Sequence, residues 1–284
     1  MYPPKFDYVR AGSVSEALAL MAQNEDAKLL AGGHSLIPTL KLRLASPATL
    51  IDIGRCSELS GINSGNGTAH IGALTTHAMV HADSNLPSAL TEAAGWIGDP
   101  QVRNKGTVGG NIAHADPASD LPTVLTALGA TIHMVGPNGE RSVSSDDFFE
   151  DLFMTALQDD EIVTAISVSS DGSAGSAYAK LFNPASRYAI VGVAAKVSAS
   201  GGVCDSASVA IGGLTPAATR CSAVEAALVG QPLNADSIAT AAEAVANDLG
   251  EDVMGDIHAS ADYRRSMAPV YVGRALASAA ERVG

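Results

Sequence analysis

Two short runs, AGGHS at Ala31–Ser35 and TVGGN at Thr107–Asn111, each place two adjacent glycines beside small hydrogen-bonding side chains. Adjacent glycines let a backbone approach a ligand closely and reach positive φ, which other residues resist. Successive N–H groups in such loops form nests for anions. Two nests on separate loops fit a ligand with a pyrophosphate and a long body, which is the shape of a dinucleotide. Neither run is G-x-G-x-x-G or G-x-x-x-x-G-K-[ST], so neither a Rossmann turn nor a triphosphate loop is supported. A glycine pair taken alone also serves as an ordinary turn.

Other residue types offer less chemistry. His77 and His81 are spaced i, i+4, but there is no Glu at the H-E-x-x-H position and no evident third ligand, so both read as surface histidines. His34 and His114 lie inside the two glycine-bearing segments. Cys56, Cys204 and Cys221 stand far apart without a CxxC, which excludes the usual zinc and iron–sulfur spacings and leaves reduced, packed cysteines.

The elements that must position the glycine runs follow from pattern. Ser13 and Glu16 form an S-x-x-E box before Val14, Ala17, Leu18 and Met21, predicting an amphipathic helix over 14–23. Lys28–Ala31 reads as a short strand and Ser35–Leu44 as a helix, so the first run sits where a strand hands over to a helix. Unpaired N–H groups and the helix dipole favour a phosphate there. Strands are predicted over 48–53 and 69–74, helices over 76–82, 87–97 and 121–128. Further strands fall near 130–135, 161–168, 176–182, 189–198 and 205–211, with a turn at Pro137–Gly139. SSDGSAGS at Ser169–Ser176 marks the best domain boundary. Ala-rich helical segments follow over 216–229, 234–248 and 262–281.

The bulk properties bound the class. The chain has 284 residues, 46% of them hydrophobic, and a formal charge of −13, so it can bury a sizeable core and repels nucleic acid and anionic lipid. No apolar run approaches the ~20 residues that span a bilayer. MYPPKFDYVR lacks the pattern of a signal peptide. The expected location is the cytoplasm, at most against the inner face of the membrane.

AGGHSLIPTLKLRLASPATLIDI together with GTVGGNIAHADPASDLP strongly resembles the FAD-binding medium subunit of molybdenum hydroxylases. The nearest likeness is to carbon monoxide dehydrogenase medium subunits, with the flavin domain of xanthine dehydrogenases more distant. The likeness runs from FDY near the start to YRRSMAPV at Tyr263–Val270. It implies an α+β fold: a two-part FAD-binding domain of the vanillyl-alcohol-oxidase (PCMH) type, then a smaller C-terminal α+β domain. The expected bounds are 1–174, with subdomains of roughly 1–54 and 55–174, and 175–284.

The resemblance also assigns roles. Ala31, Gly32, Gly33, His34 and Ser35, flanked by Leu30 and Leu36, form the first pyrophosphate loop, with Lys28 balancing charge. Thr107, Gly109, Gly110 and Asn111 form the second, followed by Ala113, His114 and Ser119. Asp120 matches a carboxylate that contacts the adenosine part, although it could instead cap the helix beginning at Leu121. Lys180 matches a lysine beside the flavin and, set in an apolar strand, needs a partner for its charge. Tyr188 and Ile97 flank the isoalloxazine ring, while Ala73 and Val163 line the pocket by shape. No catalytic residue and no metal are expected on this chain. Molybdopterin on a large subunit and two [2Fe–2S] clusters on a small subunit would complete a dimer of heterotrimers. This chain would then pass electrons to an external acceptor, a quinone or NAD.

Overall fold

The computed structural model of the chain describes residues 2–170, 172–251 and 253–283. Asp7–Arg10 and Ala27–Leu30 pair in parallel on either side of Thr49–Asp52. Parallel strands need crossovers, and the Val14–Gln23 helix connects the two outer ones. Ser13 Oγ accepts the Glu16 N–H, and the Glu16 carboxylate takes the N–H of Gly12 rather than that of Ser13. Val14, Leu18 and Met21 pack around the buried Ala17 in a core with Ile51 and Ile53. The Ala27–Leu30 strand therefore delivers AGGHS at its carboxyl end, ahead of a short helix, Leu36–Lys41.

A five-stranded antiparallel sheet follows, in the order Ile62–Gly65, Thr68–Gly72, Ile162–Ser169, Thr131–Gly136, Gly139–Ser144. Ile71, Ile132, Met134 and Ile166 share a core with Leu90 of the Ser88–Trp96 helix and with Leu121 and Leu125 of the Asp120–Leu128 helix. Every residue of Asp120–Leu128 is buried. The reason is a third sheet on its far side, made of Gly175–Phe182, Ala189–Ser200, Val203–Gly212 and Thr219–Arg220. Tyr178, Ala194 and Ala210 face that helix layer, while Ala177, Val193, Ala195, Val209 and Ile211 face the C-terminal helices. A strand buried on both faces reads as a nearly continuous apolar run, as Ala189–Val197 does. The longest of the C-terminal helices is Ala261–Ala280.

The α+β architecture expected from the resemblance is the one observed. Differences lie in short elements. The segment predicted helical over 216–229 becomes helical only at Ser222–Leu228, because Thr219–Arg220 adds a strand beside Ala210 and Ile211. The helix predicted over 234–248 divides at Ala244 into Ala235–Glu243 and Val245–Asp248. The strands Asp7–Arg10 and Ile62–Gly65 and the helices Pro100–Arg103 and Val108–His114 were not foreseen. The stretch read as a domain boundary includes Asp171, which lies outside the described residues. No helix among the described residues is long and apolar enough to cross a membrane.

Candidate functional site

A cavity of about 820 Å³ opens between the first subdomain and the helices on the five-stranded sheet. This lies toward the upper end of the range for small-molecule sites. Its lining includes Lys28, Ala31, Gly32, Gly33, His34, Ser35 and Leu36 on one side. Thr107, Gly109, Gly110, Asn111, Ala113 and His114 line the other, joined by Ala73, Ile97, Ser119, Asp120, Val163 and Tyr188. Of the predicted site residues only Leu30 and Lys180 do not line it.

The two glycine runs are built differently. Gly33 has φ +73°, and a Cβ there would face Ile37 and Leu30 at 3.0 and 3.1 Å, so this glycine serves the turn. Gly32 lies so close to the Lys105 carbonyl that a Cβ would sit 2.0 Å from its oxygen. Among the described residues no protein acceptor takes the N–H of Gly33, His34, Ser35 or Leu36. Ser35 occupies the N-cap position, yet its hydroxyl caps nothing.

The second run is the first turn of the Val108–His114 helix. Gly109 N–H donates to the Ala73 carbonyl at 2.8 Å, and Gly110 N–H donates to Thr107 Oγ1 at 3.3 Å. The expectation of two open nests is therefore corrected: only the first run presents a row of unpaired donors. A Cβ on Gly109 would lie 2.5 Å from that of Ala73. On Gly110 it would meet Thr107 Oγ1 at 2.9 Å and, across the gap, Ala31 Cβ at 3.8 Å. Asn111 Oδ1 accepts the Ser119 hydroxyl at 2.8 Å.

Asp120 is the first residue of its helix, behind Ser119 at the N-cap, so it does not act as the cap. Its carboxylate accepts from Tyr178 Oη at 2.5 Å and from Lys180 Nζ at 2.8 Å. The Lys180 side chain is fully buried, and Asp120 is the partner its charge requires. Burial drives the Asp120 carboxyl upward, against the pull of Lys180 and Tyr178. Burial and the neighbouring Asp120 raise the Tyr178 hydroxyl well above its ordinary range, keeping it a donor. Tyr178 and Lys180, two apart on one strand, share a face, so both reach the same carboxylate.

At the other end Tyr188 is half-exposed and follows Arg187, whose φ is +66°. The Arg187 guanidinium lies 5.9 Å from the Trp96 ring and 5.5 Å from Phe182, fixing the turn before Tyr188 against the helix end before Ile97. Phe153, with φ +56°, stands at the rim with its ring 5.1 Å from His114. Neither Arg187 nor Phe153 carried a sequence signal, because each acts from a loop by tertiary contact.

His77 requires a correction. Read as a surface residue, it is 3% exposed and lines the cavity, and its Nδ1 has no hydrogen-bond partner. Burial, with the nearby His34 and Arg103, lowers its pKa to about 4. His81 is exposed, with Nδ1 2.9 Å from the Thr91 carbonyl oxygen. The two do not share a ligand, and no group of three metal-ligating side chains occurs among the described residues. The three cysteines are free and buried.

Comparison with known proteins agrees with this geometry. Residues 4–169 match the family described as "FAD binding domain in molybdopterin dehydrogenase", and residues 176–279 match "CO dehydrogenase flavoprotein C-terminal domain". The carbon monoxide dehydrogenase medium chain of Hydrogenophaga pseudoflava is 40% identical, covering 98% of each chain. The glyceraldehyde dehydrogenase medium chain of Sulfolobus acidocaldarius is 39% identical, covering 97% of this chain and 99% of that one. A solved structure of the Hydrogenophaga pseudoflava carbon monoxide dehydrogenase, lacking the Mo-pyranopterin moiety, superposes with a TM-score of 0.95 at 41% identity over all of both chains.

Proposed function

We infer the role of this chain from its family: it belongs to the FAD-binding medium subunits of the molybdopterin dehydrogenases, oxidoreductase subunits whose molybdenum and iron–sulfur centres lie on partner chains. Within that family we propose that it is the electron outlet of a heterotrimeric molybdenum hydroxylase. It would receive electrons from the [2Fe–2S] clusters of a small subunit and pass them to an external quinone or NAD. When bound, FAD supplies a carrier that accepts electrons singly and releases them in pairs.

One observation carries the reading: both glycine runs line a single cavity of about 820 Å³, and the first offers unpaired donors to it. Those donors at Gly33–Leu36, with the Ser35 hydroxyl, suit the pyrophosphate, because they hydrogen-bond its oxygens without importing a charge. Gly110, opposite Ala31, supplies the close wall. Asp120, oriented by Lys180 and Tyr178, would accept from ribose hydroxyls through its remaining lone pairs. Tyr188 and Ile97 would flank the flavin ring and exclude water from it. Lys28 would offset pyrophosphate charge, Leu30 and Leu36 would shape the first loop, and Ala73, Ala113, His114, Ser119 and Val163 would complete the wall.

We place the domains at 1–174, with subdomains of roughly 1–54 and 55–174, and at 175–284, and the assembly as a cytoplasmic dimer of heterotrimers. The relatives named for carbon monoxide and for glyceraldehyde match this chain equally well, which fits substrate selection by the large subunit. The test is flavin content, then transfer. Full chain purified with its partner subunits should carry FAD that is reduced when the complex meets substrate and reoxidised by quinone or NAD. Absence of flavin with no uptake of added FAD would leave only a scaffold. Substrate turnover by the chain alone would make it a free-standing oxidase.

A further inference from the structure

We propose that His77 is a further binding residue of the cofactor cavity, its imidazole hydrogen-bonding the anionic linker of the dinucleotide between the two glycine runs. The proposal rests on the FAD reading above and extends it to a residue outside both runs.

Position comes first. His77 opens the His77–Ala82 helix, and its own N–H donates to the Gly106 carbonyl at 3.1 Å, immediately before the second run. The bridge between Thr76 and Thr107 fixes the same junction. Gly106 leaves room for the ring, since a Cβ there would lie 2.8 Å from both Cδ2 and Nε2. The neighbouring Lys105 carbonyl touches Gly32 of the first run. His77 thus sits where the two runs meet, with the His34 ring and the Arg103 guanidinium as its charged or titratable neighbours.

Energetics supply the second argument. Nδ1 of His77 and Oγ1 of Thr126 are the buried side-chain polar atoms without a partner among the described residues. Leaving a buried polar atom unsatisfied destabilises the protein, whereas an apolar side chain of similar size would not. Thr126 lies within the packed Asp120–Leu128 helix, but His77 lines the cavity. Nδ1 itself is sealed, whereas Nε2, the other ring nitrogen, also lacks a protein partner among the described residues and is the atom left to bond a ligand when the cavity is filled. The neutral ring retains one N–H, and a phosphate oxygen is its strongest complement.

The test separates binding from structure. In the full chain stripped of flavin, His77→Leu should melt at the same temperature as the wild type or higher, while FAD and ADP bind roughly ten- to a hundredfold more weakly. Riboflavin, which lacks the phosphates, should bind both proteins equally. His77→Gln, whose amide nitrogen falls near Nε2, should restore part of the FAD affinity. A leucine variant that fails to fold, or that melts lower with unchanged FAD affinity, would overturn the proposal by making the imidazole structural. Equal loss of riboflavin and ADP binding would overturn the assignment to the linker. A wild-type chain that takes up no FAD would instead defeat the underlying reading.

Discussion

The two glycine runs look alike in sequence and do different work. In Ala31–Ser35 the glycines make a turn: Gly33 adopts φ +73°, Gly32 docks on the Lys105 carbonyl, and the following N–H groups are left without protein acceptors. In Thr107–Asn111 they let a helix start lie close to its neighbours, and the N–H groups of Gly109 and Gly110 are already taken. One run supplies donors and the other supplies proximity. A glycine pair therefore identifies a place of close approach without saying what approaches. At Gly32 and Gly109 the neighbour is the protein itself, and only Gly110 looks across the gap between the loops.

Substitutions that touch the protein-facing groups should act on folding, and the largest effect lies just beyond the second run. Lys180→Met leaves Asp120 buried without its cation and should destabilise by about 3–5 kcal/mol in chemical denaturation. Adding Asp120→Asn to Lys180→Met should recover much of that loss. No recovery would mean that Lys180 contributes through packing alone. Gly109→Val comes next. Its Cβ would lie 2.5 Å from Ala73 Cβ and 2.9 Å from Ala73 backbone atoms, so a loss of about 3 kcal/mol is expected with or without FAD. A Gly109→Val protein of normal stability would erase the distinction drawn between the two runs.

Acid should act on the cavity through His77. Its folded pKa, about 4, lies below the unfolded value of 6.5. Between those values the unfolded chain binds a proton that the native chain refuses, so stability falls as pH drops and is fully present above 6.5. The shift corresponds to roughly 3 kcal/mol at most by pH 4. The carboxyl groups of Asp52, Glu161 and Asp256 are held low and also lose stability in acid, so the informative quantity is the difference between wild type and His77→Leu. That difference should grow from pH 6.5 to 4. A constant difference would mean that His77 is not the neutral, buried group described.

Legibility followed the range of the interactions involved. The Val14–Gln23 helix was readable because its cap and its apolar face are local, and the structure begins it at the residue the capping box indicates. The strand carrying AGGHS was readable for the same reason, as an apolar run ending at glycine. The Val108–His114 helix was hidden because a glycine pair in its first turn reads as a loop, and the Thr107 cap became meaningful only with the Ala73 contact. His77 was misread because i, i+4 spacing places it beside His81, while burial is decided by Gly106 and the first run, distant in sequence. Lys180 showed that a charge in an apolar strand needs a partner, and Asp120, sixty residues away, could be joined to it only in space. The family resemblance singled out Asp120 and Lys180, and the geometry puts Asp120 on the cavity wall with Lys180 behind it.

Binding of FAD in the gap between the two runs can be tested at Gly110 with least disturbance to the fold. A valine there would drive its γ-methyls toward Ala31, whose Cβ lies 3.8 Å from the added Cβ, and would displace the Thr107 hydroxyl, 2.9 Å from that Cβ. Titration of flavin-stripped full chain with FAD is the direct measurement. The expected result is that wild type binds one FAD per chain, and that Gly110→Val stays folded but binds at least about tenfold more weakly, a loss of about 1.4 kcal/mol. A folded Gly110→Val chain with undiminished FAD affinity, or a wild-type chain that binds none, would contradict it.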